Sequence, residues 1–228
     1  MGRSTGYIGR NALKRAGWWL SFLVCALYAS YALYMGVVEI LHQLGLVTDA
    51  PLRAVPVVFV IHALAGSVAL VSGPLQFNRR LRDRSTRLHR LLGRTYVATV
   101  WLASISGLWS AMFFQVTPAA KIAFGLLSIL WFGSTTIALL RIVSRDIAAH
   151  REWMIRSFSL SLFFLGFSFW VPGLASTGLP DAVGYPLAVF LSWSVNLAAA
   201  ELWLRRTRSH LPESSRSTTR EYALQTLN

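Results

Sequence analysis

The chain of 228 residues is too hydrophobic for an ordinary soluble domain, since 54% of its residues are apolar and its mean hydropathy is +0.50. Its formal charge of +13 falls in short blocks between long apolar runs, a pattern typical of membrane proteins. We therefore expect no nucleic-acid partner. The single cysteine, Cys25, excludes an intrachain disulfide and any CxxC motif.

Six apolar segments follow one another along the chain, each about long enough to cross ~30 Å of hydrocarbon as a helix. They predict an all-α, polytopic membrane helical bundle. We expect a basic cytoplasmic tail at residues 1–17, a six-span domain at residues 18–204 and a disordered cytoplasmic tail at residues 205–228. The predicted spans are Trp18–Val38, Val57–Phe77, Thr95–Phe114, Ile122–Ile142, Trp153–Val171 and Tyr185–Leu204.

The first apolar run is interpreted as a retained span. Lys14 and Arg15 precede it, as in a secretory signal peptide, but the apolar core of such peptides is usually only about 7–15 residues long.

Positive charge is distributed unequally between the two ends of this arrangement. Of the 22 Lys and Arg residues, only Arg53 and Lys121 fall at the end opposite the termini. Because cytoplasmic loops carry the excess of Lys and Arg, we expect a multi-pass protein of the inner (plasma) membrane with both termini cytoplasmic. Anionic inner-leaflet lipids are then its expected partners.

A basic turn after the second span carries His89, and a looser copy after the fourth span carries His150. The copies read HRLLGR and HREWMIR, so spans two–three and four–five form a loose helix-hairpin repeat. One interpretation is that these clusters only anchor helix ends at lipid phosphates. The other is that both imidazoles bind the iron of one haem b, while nearby arginines hold an acidic group such as a haem propionate, a quinone head group or a lipid phosphate. These arginines are Arg90, Arg94, Arg151 and Arg156.

A second pair of histidines is predicted at the opposite end. His62 lies about five residues into the second span, roughly 8 Å deep, where an imidazole needs a hydrogen-bond partner or a metal. His42 is its predicted partner; a structural, hydrogen-bonded histidine is the alternative. About 22 Å of helix separates His62 from the basic turn, so it cannot share a metal ion with His89 or His150, because metal–nitrogen bonds are only ~2 Å long.

Small residues form a smooth stripe on the second span below His62. Gly66, Ala69 and Gly73 recur at helical spacing. Such stripes usually let two helices pack closely in a membrane. The alternative is that the stripe leaves room for a flat cofactor.

Four motifs mark the membrane part. They are His62-Ala-Leu-Ala-Gly66, Gly73-Pro-Leu-Gln-Phe77, His89-Arg90 with Gly93-Arg94-x-Tyr96, and Arg145-Asp146 with His150-Arg151-x-Trp153-Met154-Ile155-Arg156. From about residue 57 to residue 201 the chain resembles a family of predicted bacterial membrane proteins known as a domain of unknown function. The resemblance implies six to seven spans and importance for the three motif histidines, and no activity. Where it would place an arginine-bearing end after the fifth span, the chain has Phe169-Trp170-Val171-Pro172.

Several function classes are disfavoured by what the spans lack. No Asp, Glu, Lys or Arg falls in the middle of a span, although ion-coupled carriers usually need such groups. The sequence has no HExxH, P-loop or GxGxxG motif, and Gly166-Phe-Ser168 has no histidine in the sixth span as a base.

Three functions remain open: a haem or redox-associated protein, a carrier or binding protein for a small amphipathic or anionic ligand, and a non-catalytic accessory protein. We place the redox protein first, because histidine recurs in both copies where arginine alone would serve lipid anchoring.

Overall fold

The protein is a bundle of helices, and no strand occurs among the residues described by the structure, a computed structural model. These are residues 5–46, 56–115 and 117–209, with side chains placed for all but residues 5–15, 42–43 and 209. The helices are α1 (Thr5–Gln43), α2 (Val57–Gln76), α3 (Arg79–Arg84), α4 (Thr86–Phe114), α5 (Pro118–Val143), α6 (Ile147–Ser161), α7 (Phe163–Ala175) and α8 (Asp181–Ser209).

Six stretches of the described chain are long and apolar enough to cross a membrane, which confirms the predicted six-span architecture. They are Ala16–Leu41, Val57–Gln76, Thr86–Phe114, Pro118–Val143, Ile147–Ala175 and Asp181–Arg208. We call the end of the bundle that holds α3 and the α5–α6 connection the basic end.

The basic turn after α2 is more helical than predicted. Asn78 accepts a hydrogen bond from the amide of Leu81 at 3.2 Å and thereby begins the short helix α3. Ser85 then begins α4 at Thr86, well before the predicted start near Thr95. Side-chain capping satisfies amides that would otherwise lack a partner, so it favours helix in a segment whose polarity alone suggests a loop.

The fifth predicted span is two helices that meet at Leu162. Helix α6 ends at Ser161 and α7 begins at Phe163. At this break the Leu162 carbonyl accepts a hydrogen bond from the side-chain amide of Asn196 in α8, at 3.0 Å. The same carbonyl also accepts a hydrogen bond from the backbone amide of Leu165 at 3.0 Å, so α7 and α8 both bond to it at the break.

Both terminal helices extend beyond the predicted spans. Helix α1 begins at Thr5, so it includes most of residues 1–17, which were predicted as a basic tail. Helix α8 continues to Ser209, into the tail predicted as disordered from residue 205. The rest of both predicted tails, residues 1–4 and 210–228, lies outside the described residues.

The helices pack in a chain of neighbours. α1 contacts α2, α2 contacts α4, α4 contacts α5, and α5 contacts both α6 and α8, while α7 packs on α8. Small side chains at these contacts include Ala69, Ala103 and Ala138, which are 0% exposed. Close approach of this kind is what associates helices in lipid, where the hydrophobic effect between spans is lost.

A cluster of hydroxyl groups ties α4, α5 and α6 together in the core. The Tyr96 hydroxyl lies 2.8 Å from that of Ser157 and 3.0 Å from that of Ser161. Thr135 lies 2.6 Å from Ser157, and the Trp131 indole donates to Ser161 at 2.9 Å. Tyr96 and Ser157 are 61 residues apart, the same offset that relates His89 to His150. The two copies of the loose repeat therefore meet side by side.

Candidate functional site

Local capping places two histidines at equivalent positions of the basic end. Ser85 caps α4 and Asp146 caps α6, and each side chain accepts an amide of the first turn, at 3.2 and 3.0 Å. The backbone amide of His89 bonds to the Ser85 carbonyl at 3.1 Å, and that of His150 to the Asp146 carbonyl at 3.0 Å. Both imidazoles therefore project from the first turn of their helix, at the edge of the bundle.

One ring nitrogen of His150 is hydrogen-bonded to the protein. Its Nδ1 lies 2.8 Å from the carbonyl oxygen of Ala138 near the end of α5. Because a carbonyl oxygen only accepts, Nδ1 carries the hydrogen of the neutral ring, and Nε2 keeps its lone pair. This is the arrangement that many metal-ligating histidines adopt, and also one that holds structural histidines in place.

His89 is held differently. It is half-buried, and its Nδ1 is buried without a hydrogen-bond partner among the described residues. Arg82 and, less strongly, the His150 ring lie within electrostatic range of it. Both predicted histidines therefore lie at the basic end, each half-buried, in the first turns of α4 and α6.

Gln76 joins this region, although we assigned it no role from the sequence. Its Nε2 is buried without a partner among the described residues. Its side chain lies against Gly93 of α4: a Cβ added at Gly93 would be 3.2 Å from Gln76 Oε1. The signal that could have found it was its place in the GPLQF motif, at the last turn of α2.

The four arginines predicted to hold an acidic group are not alike. Arg156 forms a two-point ion pair with Glu201 of α8, through Nε to Oε1 and through Nη2 to Oε2 at 3.3 Å, and it stacks over Trp153 at 4.6 Å. It also lies 3.8 Å from Glu152. By contrast, the other three predicted arginines are exposed: Arg90, Arg94 and Arg151.

His62 lies near the opposite end and is hydrogen-bonded to the protein. Its Nδ1 is 2.7 Å from the carbonyl oxygen of Ala103 in α4. A Cβ at Gly107 would stand 2.9 Å from the ring, so this glycine makes room for it. The side chain of His42, its predicted partner, lies outside the described residues. Glu39, one turn before His42, is buried at 3% exposure.

The small-residue stripe of α2 is used for helix packing at its basic end. The position of a Cβ on Gly73 is already occupied by the ring of Phe158 from α6, and Tyr96 lies 3.3 Å away. Aromatic side chains thus fill the space there that a flat cofactor would need. Around Gly66 nothing lies within 4 Å of such a Cβ.

A half-open cavity of about 500 Å³ lies at the end opposite the basic end. Apolar walls from Val171, Ala175 and Leu179 surround it, with Gln115 and Tyr185 among its polar groups. No sequence motif pointed to it. It is remote from the histidines of the basic end, so it does not contribute to their site.

Among the described residues no group of three or more His, Cys, Asp or Glu side chains is placed to hold a metal ion. A metal at the basic end would therefore need to be one that two imidazoles suffice to hold. Haem iron is such a metal, because the porphyrin supplies its other four ligands.

The comparisons with known proteins give one match. The profile of a family described as "Predicted membrane protein (DUF2306)" matches residues 59–204. The matched segment includes the three motif histidines, Gln76 and the Arg156–Glu201 pair. No curated protein and no solved structure shows a significant match.

Proposed function

Because the chain belongs to this family of membrane proteins, whose description names no activity, we propose a function from the geometry of its own residues. The protein would be a b-type haem protein of the membrane, in which His89 and His150 would hold the iron. The observation that carries the proposal is the placement of two half-buried imidazoles at equivalent first-turn positions of the two copies of the repeat, both at the basic end.

The chemistry of the two rings supports an iron site. Axial histidines coordinate through one nitrogen while the other donates to a carbonyl or carboxylate. His150 has this arrangement, since its Nδ1 donates to Ala138 and its Nε2 is left for a metal. The exposed Arg90, Arg94 and Arg151 supply cations for the two propionates.

Bound haem would supply one-electron transfer. The residues of this chain would hold the iron and neutralise the propionates at the basic end. A quinone in the membrane, or a redox protein at its surface, is then the partner that exchanges the electron. The distribution of Lys and Arg supports the inner membrane as the location, with the basic end and both termini in the cytoplasm.

The pairing of Arg156 with Glu201 favours this proposal over a carrier whose anionic ligand is held by all four arginines. A guanidinium whose two nitrogens already contact a carboxylate has less to offer a ligand. The three exposed arginines remain suited to lipid phosphates, which an accessory protein would also bind.

An absorption spectrum of the full chain, purified in detergent from haem-replete cells, tests the proposal. We expect a Soret band that is lost in His89→Ala and in His150→Ala, because each removes one of the two imidazoles that would hold the haem. His62→Ala is the matched control, since this ring also donates to a carbonyl but lies at the other end of the bundle.

A colourless, haem-free wild type would overturn the haem assignment. A Soret band lost only in His62→Ala would move the haem to the opposite end. If the wild type is colourless and the histidine substitutions change only its abundance, the protein is an accessory one.

A further inference from the structure

Two buried polar atoms at the basic end lack a hydrogen-bond partner among the described residues: Nδ1 of His89 and Nε2 of Gln76. Buried polar atoms in proteins are nearly always satisfied, so each exception needs an explanation. Two exceptions in one region indicate a missing group.

The Gln76 side chain lies against the face of α4 that carries His89. Gln76 reaches across from α2 and lies against Gly93, with its Oε1 and Cδ at 3.2 and 3.8 Å from the position of a Cβ there. His89 is one helical turn before Gly93, and residues at that spacing lie on the same helix face, roughly 6 Å apart. Gly93 has no side chain, which leaves the space that the amide occupies. We call this feature the α2–α4 notch; it consists of Gln76, His89 and Gly93.

The chemistry of the notch favours a hydrogen-bond acceptor that carries negative charge. An amide nitrogen only donates, so the group missing from Gln76 Nε2 must be an acceptor. The charge of Arg82 also acts on His89. Arg82 bonds the exposed Asp83 through Nε at 3.3 Å, and its other two nitrogens have no partner among the described residues. With donors and a cation on its sides, the notch favours an anionic oxygen over a neutral one.

We propose that the α2–α4 notch, with Arg82 at its rim, binds a phosphate oxygen at the basic end of the bundle. The phosphate is that of a lipid head group or a free phosphate ion. Gln76 and His89 donate to its oxygens, and Arg82 balances its charge. Iron on Nε2 of His89 would leave Nδ1 free to donate, so the notch and the haem site can coexist and neither requires the other.

Thermal unfolding of the detergent-purified full chain tests the notch. The melting temperature is measured in sodium phosphate and in sodium chloride at equal ionic strength and pH. It is measured again in nanodiscs of phosphatidylcholine with and without phosphatidylglycerol. For a site filled at about 100 times its dissociation constant, we expect phosphate or anionic lipid to raise the wild-type melting temperature by on the order of 5 °C.

Gln76→Met and Arg87→Gln form the matched pair of variants. Gln76→Met removes the unsatisfied donor and keeps the length of the side chain. It should therefore melt no lower than wild type without phosphate and should lose most of the phosphate-dependent rise. Arg87→Gln removes an exposed cation of the same helix end outside the notch, and should keep the rise. Gln76→Glu carries its own anionic oxygen into the notch and should also lose the response.

The comparison of phosphate with chloride and the comparison of nanodiscs with and without phosphatidylglycerol together identify the source of the oxygen. A rise with phosphatidylglycerol alone assigns it to a lipid head group, whereas a rise in both arms admits the free ion. No rise in either arm, or a rise that Gln76→Met retains in full, would overturn the proposal. A Gln76→Met protein that melts lower to the same extent in every condition would show that the amide has a partner within the protein.

Discussion

At the scale of single residues, three histidines of the membrane part show how differently one side chain can be held. His62 and His150 each donate a hydrogen bond from Nδ1 to a carbonyl oxygen of a neighbouring helix, at 2.7 and 2.8 Å. His89 has no such acceptor among the described residues for its buried Nδ1. The same residue type therefore serves to tie helices in one place and is left with an unmet hydrogen bond in another.

His62→Leu tests the structural role of His62. We expect it to lower the free energy of unfolding by about 1 kcal/mol, the cost of one lost hydrogen bond. The loss should not be larger, because the Ala103 carbonyl also accepts a hydrogen bond from Ser106, at 3.2 Å, and keeps that partner. Thermal unfolding in detergent is the measurement, with the neighbouring, lipid-exposed Ile61→Leu as control, expected within about 0.5 kcal/mol of wild type. A His62→Leu protein as stable as the control would show that this bond contributes little.

At the scale of helices, a glycine sets how closely α7 and α8 approach. A Cβ at Gly166 would stand 2.8 Å from the carbonyl oxygen and 2.9 Å from the Cα of Ser192, which is backbone and cannot rotate away. This contact lies next to the break at Leu162, whose carbonyl Asn196 of α8 satisfies. Gly166, which in sequence gives a weak GxS pattern with Ser168, is thus a helix-packing residue.

Gly166→Ala and Gly133→Ala make a matched pair for this contact. The new methyl group at Gly166 should push α7 from α8 and destabilise the protein by about 1–3 kcal/mol, the usual cost of overpacking. At Gly133 of α5 nothing lies within 4 Å of the added atom, so the same change should be neutral or stabilise by up to about 1 kcal/mol through helix propensity. Unfolding temperatures of the two variants, compared with wild type, decide the matter. Equal effects at both sites would contradict the close crossing.

At the scale of the whole molecule, opposite ends of the bundle differ in charge. A short connection follows α5 at the basic end and α7 at the other end, and the two begin with similar local structure. Ser144 at the basic end and Ser176 at the other are both exposed, and each hydroxyl bonds a carbonyl three residues back in its helix, at 3.0 and 2.7 Å. Cys25 is only 1% exposed within α1. The chain therefore offers a matched pair of labelling positions with little background.

Cysteine labelling measures the orientation. In sealed right-side-out vesicles, a membrane-impermeant maleimide should modify Ser176→Cys directly and Ser144→Cys only after permeabilisation, because we expect the positive end to face the cytoplasm. Wild type, with Cys25 alone, is the background control. The reverse order of labelling would place the basic end outside.

The sequence by itself determined the number of spans, their approximate bounds and the end at which the positive charge collects. These properties add up residue by residue, because the transfer of each side chain to lipid and its attraction to the head groups depend little on distant residues. Helix ends were less predictable: α4 begins at its Ser85 cap within a segment that polarity alone suggested was a turn.

Only the tertiary structure decided which polar groups meet. Tyr96 reaches Ser157 across 61 residues of chain, and Arg156 takes Glu201 as its partner across 45. Gln76 comes to lie on Gly93 because α2 and α4 pack face to face. Such pairings depend on how each helix is rotated about its axis and against which neighbour it packs. Composition and hydropathy do not contain that information.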